Sequence, residues 1–585
     1  MANITITGNG ISLTLPNTVE TLTGSTGADL ITFVGEVTGS VIDLGDGTDV
    51  LLLDDDGNAL TASNVETLTG GTGSDAVTLG AAASGAVIDL GAGADSLILF
   101  NGANDITVSN VETLTGDSGA DTVTIATAVT SGTVTLGDGD DTLAFSGAVS
   151  GGTFDLGAGT GDVVTLANAA NNLTISNAET VTGNAGADTV TLGAALSGGA
   201  IDLNGGTDTL VLANGANDIT VSDVETLTGD AGADTITLGA AISGATIDLA
   251  AGTDTLELAN GTNNLTVSNV ETVTGESGGD TVTLGAAISG AEIDLAAGTD
   301  TLVLANGTNN VTVSNTETVT GNSGADTVTL GAAQTAGSID LGAGVDTLEL
   351  ADGGNTLTVS NVETVTGESG ADAITLGAAI SGAVIDLADG TDTLTLANGS
   401  NNLTVSNAET VTGHSGADAV TLGAAISGAA IDLAAGADTL VLSGAGANDV
   451  TVSNTETITG GGDADTVTLG AAISGGVINL GAGTDILELA NGTNSATVSG
   501  VETVTGNAGA DTITFGATVS GVEVDLAGGT DKLYLADGGN DLTLNGSVET
   551  MVGGSGNDVV TLSAAVSSVN YDLGAGTGDT LVLSN

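Results

Sequence analysis

The chain has 585 residues, with 73 Asp and Glu against a single Lys or Arg and a formal net charge of −72. That balance excludes a nucleic-acid face and docking on anionic membrane surfaces, both of which need basic residues, and it calls for cations as partners. With 95 glycines, no cysteine, no tryptophan and 1% aromatic residues, a disulfide framework, thiolate chemistry and an ordinary aromatic-filled core are excluded as well.

Mean hydropathy is +0.36, so the chain has apolar surface to bury and disorder is not expected. No apolar run reaches the ~18 residues of a membrane-spanning helix. The start, Met1-Ala-Asn-Ile-Thr5, has no charged stretch followed by an apolar one, so no cleaved signal is expected.

Ile11-Ser-Leu-Thr-Leu15 alternates apolar and polar residues, the pattern of a half-buried strand. Val19-Glu-Thr-Leu-Thr-Gly24 is the first copy of a phrase that recurs down the chain. Its glutamates are Glu20, Glu66, Glu112 and then Glu179 to Glu549, spaced 46 or 47 residues apart except for one gap of 67. A denser signal is a Gly-x-Asp turn followed by x-apolar-x-apolar. It occurs 25 times between Asp29 and Asp579, at intervals alternating near 20 and 26 residues.

The short unit after Asp234 and the long unit after Asp254 align with each other: Ile247 and Val267 share an offset, as do Asp248 and Ser268. The long unit adds the phrase Val270 to Gly275. The 67-residue gap holds one extra short unit, around Asp141. Taking each unit as one coil keeps every later register intact. The expectation is therefore an all-β, parallel β-solenoid of about 25 coils and about 23 residues per coil, roughly 120 Å long at the strand spacing. Residues 29–578 form the array, and 1–28 and 579–585 are partial coils that complete one another between copies. Head-to-tail homopolymerisation is the expected consequence, since an open coil end presents unpaired edges.

Fifteen turn aspartates are candidate metal ligands: Asp29, Asp49, Asp75, Asp95, Asp121, Asp141, Asp188, Asp234, Asp280, Asp326, Asp372, Asp418, Asp485, Asp511 and Asp558. Carboxylates stacked on the order of 5 Å apart repel by ~0.8 kcal/mol per pair even in water, and a calcium ion with 6–8 oxygen ligands relieves that. The competing expectation is that each Asp accepts backbone N–H bonds in its turn. A second set, Asp43, Asp89, Asp155, Asp202, Asp248, Asp294, Asp340, Asp386, Asp432, Asp525 and Asp572, reads with the phrase glutamates as a solvated outer face, the alternative being lateral bridging by cations. Outward Thr-x-Thr pairs do not make an ice-binding array, because Thr255 is followed by Glu257. His414 and Lys532 read as exposed variants, and repetition marks out no unique cleft, so no enzyme is expected.

Two stretches, Gly70-Gly-Thr-Gly-Ser-Asp75-Ala-Val77-Thr78 and Gly553-Gly-Ser-Gly-Asn-Asp558-Val-Val560-Thr561, carry a full Gly-Gly-x-Gly-x-Asp-x-apolar-x motif. In them the chain resembles the hemolysin-type, repeats-in-toxin calcium-binding family. The resemblance implies a β-roll with calcium in its turns and export without a cleaved N-terminal signal. The expected role is a non-catalytic, secreted, calcium-stabilised structural protein that forms an extracellular fibre or matrix. The alternative is the stalk of a calcium-rigidified adhesin or surface-layer protein.

Overall fold

The computed structural model describes residues 2–545 and 548–583. Met1 in the expected N-terminal partial coil, and Ser584 and Asn585 in the C-terminal one, lie outside the described residues. No helix occurs among the described residues, and strands alternate between two parallel sheets. The chain divides into two compact units, Met1–Ala286 with Ala291–Asp300, and Ala287–Gly290 with Thr301–Asn585. In the first, Ala2–Thr5 pairs with Val19–Ser25 in one sheet, and Ser12–Pro16 pairs with Leu30–Val34 in the other. In the second, Thr301–Val303 pairs with Thr318–Thr320, and Asn310–Ser314 with Thr327–Leu330. Each unit is a parallel β-solenoid in which every coil gives one strand to each sheet.

The coil is shorter than expected. Thr235 lies beside Thr255, Thr255 beside Thr272, and Asn264 beside Thr281. One coil therefore spans 20 residues in the first case and 17 in the other two. The short unit is one coil, built from Thr235–Leu238 and Ser243–Asp248. The long unit is one and a half: Thr255–Glu257, Asn264–Ser268 and Thr272–Thr274.

The extra strand is the Val270–Gly275 phrase, which in the sequence stands only as an addition to the long unit. Asn269 separates the two by taking φ 53°, a left-handed corner that Asn tolerates better than most residues. Five strands per 46-residue repeat make two and a half coils. Successive repeats therefore put the same phrase on opposite sheets: Thr226–Thr228 pairs with Ser243–Asp248 in one, and Thr272–Thr274 with Thr255–Glu257 in the other. The solenoid has more and shorter coils than the 25 expected. The extra unit is one full coil, as expected, with Thr142 beside Thr122 and Thr153 beside Thr133.

Inward positions stack from coil to coil. Val190, Leu210, Leu227, Ile247, Val267 and Leu284 form one such column, none more than 5% exposed. Sheets facing at ~10 Å leave room for aliphatic side chains and little more, which explains the scarcity of aromatics. Close coil approach also dictates glycine at the end of the phrase. A Cβ on Gly183 would collide with the backbone of Leu203 in the next coil. On the outside, register sets Glu257 between Thr237 and Thr274, and Thr237 donates to its carboxylate at 3.1 Å.

Candidate functional site

All fifteen candidate aspartates are buried, none more than 2% exposed. Each immediately precedes a strand, so its side chain sits at the edge of the core under the preceding coil. The run beginning at Leu196 shows the pattern. The Leu196 N–H donates to Asn217 Oδ1 at 3.1 Å, and the N–H and Nδ2 of Asn217 both donate to Asp234 Oδ1 at 2.9 Å. The Asp234 N–H donates to Asp254 Oδ1 at 2.8 Å, and the Asp254 N–H to Glu271 Oε2 at 2.9 Å. Asn217, Asp234, Asp254 and Glu271 open four successive strands of one sheet. The next repeat builds its ladder at the start of strands in the other sheet, with Asn263 and Asp280.

The order of residue types follows from what each rung must do. A buried backbone N–H without an acceptor is costly, and the corners between strands would leave one per coil. Asn opens the ladder because it both accepts and donates: Asn217 Nδ2 also reaches the carbonyls of Ala213 and Gly215, at 2.9 Å each. Asp accepts only, and its short side chain fits the dry positions. Glu closes the run from a half-buried site, where its longer side chain still reaches back to the core edge.

The second oxygen of most ladder aspartates is buried without a hydrogen-bond partner, as with Asp234 Oδ2 and Asp254 Oδ2. Burial pushes Asp254 above the ordinary carboxylate value; the Asp234 N–H opposes the shift, while the charges of Asp234 and Glu271 add to it. Asp95, Asp208 and Asp346 shift upward for the same reasons. Asp29 goes the other way: burial works against it but is outweighed by hydrogen bonds from the Ile11 and Ser25 N–H groups and the Ser25 hydroxyl.

The fifteen candidates do not form one continuous column. The structure brings Asp29 together with Asp49, Asp75 with Asp95, and Asp121 with Asp141. Asp188, Asp234, Asp326, Asp372, Asp418 and Asp511 pair instead with Asp208, Asp254, Asp346, Asp392, Asp438 and Asp531. Asp485 and Asp558 pair with Asp465 and Asp579, and Asp280 donates its N–H to Asp300. The glutamates belong to the expected solvated face, and the asparagines lie in Gly- and Asn-rich segments with the composition of turns, such as Asn260-Gly-Thr-Asn-Asn264. Both are rungs, and the signal that could have found them is their offset of 17 residues from a ladder aspartate, one coil length.

The second carboxylate set is half-buried or exposed, and it is also structural. Asp248 Oδ1 accepts the Ala250 N–H at 3.1 Å and Asn269 Nδ2 from the next coil at 2.7 Å. The same Asn-to-Asp bond recurs at Asn64, Asn110, Asn177, Asn361, Asn407 and Asn454. In one repeat Asp223 takes the Asn position and faces Asp202. In another, Asn479 and Gly500 replace the pair.

Among the described residues, no group of three or more Asp, Glu or His side chains is arranged to share a metal ion. His414 and Lys532 are exposed, as expected. Three surface depressions, of about 80, 210 and 190 Å³, are copies of one crevice, with Glu112, Glu456 and Glu66 at equivalent places on their walls. The chain is a parallel β-solenoid repeat protein; no family model matches it, and no curated protein does.

Proposed function

We propose that this chain is a non-catalytic structural protein that acts outside the cell by assembling with further copies of itself into a fibre or matrix. The observation that carries the reading is repetition of surface. The same crevice recurs at Glu66, Glu112 and Glu456, so chemistry is spread along the chain rather than gathered at one place. Parallel strand pairing also continues from one coil to the next, so a second copy can offer the pairing that one coil offers its neighbour. Parallel strand edges add in one direction, and a head-to-tail contact that does not close propagates.

Calcium enters the proposal as the counter-ion of the outward carboxylates, supported by the net charge of −72. The two full turn motifs at Gly70–Thr78 and Gly553–Thr561 support kinship with the repeats-in-toxin proteins and export by their route. The test is electron microscopy and sedimentation of the full chain at high concentration, in millimolar calcium and then in chelator. Filaments that form with calcium and disperse in chelator are expected. Monodisperse particles under both conditions contradict the proposal.

A further inference from the structure

The extra coil breaks the ladder's rule. Everywhere else among the described residues a run holds two aspartates before its glutamate or its end, but here three follow one another. Asn104 N–H donates to Asp121 Oδ1 at 2.8 Å, the Asp121 N–H to Asp141 Oδ1 at 2.7 Å, the Asp141 N–H to Asp162 Oδ1 at 2.6 Å, and the Asp162 N–H to Glu179 Oε2 at 2.9 Å. These residues open successive strands of one sheet, Asp105–Ser109, Thr122–Ile125, Thr142–Phe145, Val163–Thr165 and Thr180–Thr182. Asp141 and Asp162 are 0% exposed, and their Oδ2 atoms are buried without a partner. Among the described residues, Asp141 is therefore the one ladder residue with a buried aspartate both above and below it.

We propose that this coil is a proton-controlled joint: with Asp141 carrying a proton on Oδ2 the coil stacks as the others do, and with Asp141 ionised the buried like charges loosen it. The charged groups around Asp141 are all acidic. Asp121 and Asp162 face it along the ladder and Asp140 shares its turn. Asp117 acts on Asp121, and Glu179 and Asp155 act on Asp162. Burial, then the charges of Asp121, Asp162 and Asp140, raise the Asp141 carboxyl to about 6 against the opposing Asp121 N–H. The run thus holds a proton to higher pH than an ordinary carboxylate does.

The coil also carries extra packing. Phe145 and Phe154 meet edge to face, with ring centroids 4.9 Å apart at 82°, and both are buried. Aromatic pairs of this geometry add stabilisation beyond their buried area, in the coil that adds the third aspartate to the run.

The test is hydrogen exchange of the full chain, in chelator, from about pH 5 to about pH 8, corrected for intrinsic exchange rates. Protection of residues 121–165, relative to the other coils, is expected to fall by up to about tenfold as pH rises from about 5 to about 6 and then to level off, because above that pH Asp141 is ionised in the folded coil as well. Asp141→Asn keeps an acceptor for the Asp121 N–H and removes the charge, so the extra fall of residues 121–165 beyond that of the other coils should disappear. If that variant does not fold, deletion of Gly139 to Ala158 restores the two-aspartate run, and the step should vanish from the flanking peptides. The proposal is overturned by a wild-type profile without the step, or by a step that survives in Asp141→Asn or in the deletion.

Discussion

The backbone N–H of Asp234 donates to the carboxylate of Asp254 across one coil, at 2.8 Å. Both residues are essentially without solvent contact, so the bond joins coil to coil inside the molecule rather than closing a turn on its surface. This places the acidic signal of the sequence in the framework of the solenoid, and it sets what substitutions and pH should do.

Stability should rise in mild acid. Asp95, Asp208, Asp254 and Asp346 sit above the unfolded value of 3.8, chiefly through burial. Between the two values the folded chain holds protons that the unfolded chain has released. Stability therefore increases as pH falls through the folded values and is complete below 3.8. Asp29 and Asp537, each lowered by its hydrogen-bond donors, oppose the trend. Urea unfolding in chelator at about pH 5 and about pH 8 checks this, and a higher midpoint at the lower pH is expected.

The opening asparagine should be hard to replace. Asn263 accepts from the Ile242 N–H at 3.2 Å and donates to Asp280 Oδ1 at 3.0 Å and to the Ala259 carbonyl at 2.8 Å. Asn263→Ala leaves buried groups unpaired, at about 1–3 kcal/mol each. Hydrogen exchange should show loss of protection in the coils on either side. Asn263→Asp should be worse at neutral pH and should recover in acid.

Asp223→Asn should stabilise. Burial, then the charges of Asp202 and Glu225, raise the Asp223 carboxyl, whereas the sister residue Asn269 donates to Asp248 at 2.7 Å. Supplying the same donor should add about 1 kcal/mol at neutral pH. The gain should shrink in acid, where Asp223 can itself donate. Urea midpoints of the two proteins at both pH values measure it.

Ala250→Gly should also stabilise. Ala250 has φ 66°, and the equivalent residue after the Asp–x pair in other repeats is glycine, as at Gly91 with φ 88°. Relief of the left-handed conformation should give up to about 1 kcal/mol, and the reverse change, Gly91→Ala, should destabilise. Thermal melting of the two variants reads both signs.

Much of this architecture is legible in the sequence. The alternation in Thr235-Ile-Thr-Leu238 marks a strand, and the extra unit around Asp141 reads as one inserted coil. The phrase Val270–Gly275 is not legible as a strand of its own. Three residues of alternation, Thr272-Val-Thr274, are too few to separate from the strand before them, and the corner between them depends on the φ of Asn269. The inward turn of Glu271 is equally hidden, since a glutamate flanked by an apolar residue and a threonine looks solvent-facing until the coil length is known. Asn217 sits in a segment with the composition of a surface turn. Only the 17-residue offset to Asp234 distinguishes it.

The coil length is the claim on which the rest stands, and a pair of cysteines tests it directly, since the chain has none of its own. Thr255 and Thr272 are register neighbours in one sheet, whereas Thr281 lies in the other sheet beside Asn264. Adjacent parallel strands bring Cα atoms within the 4.4–6.8 Å that a disulfide tolerates. Under mild oxidation, Thr255→Cys with Thr272→Cys should form an intramolecular disulfide and Thr255→Cys with Thr281→Cys should not. A disulfide in the second pair and none in the first would mean that the 26-residue unit is a single coil, contradicting the two-and-a-half-coil repeat.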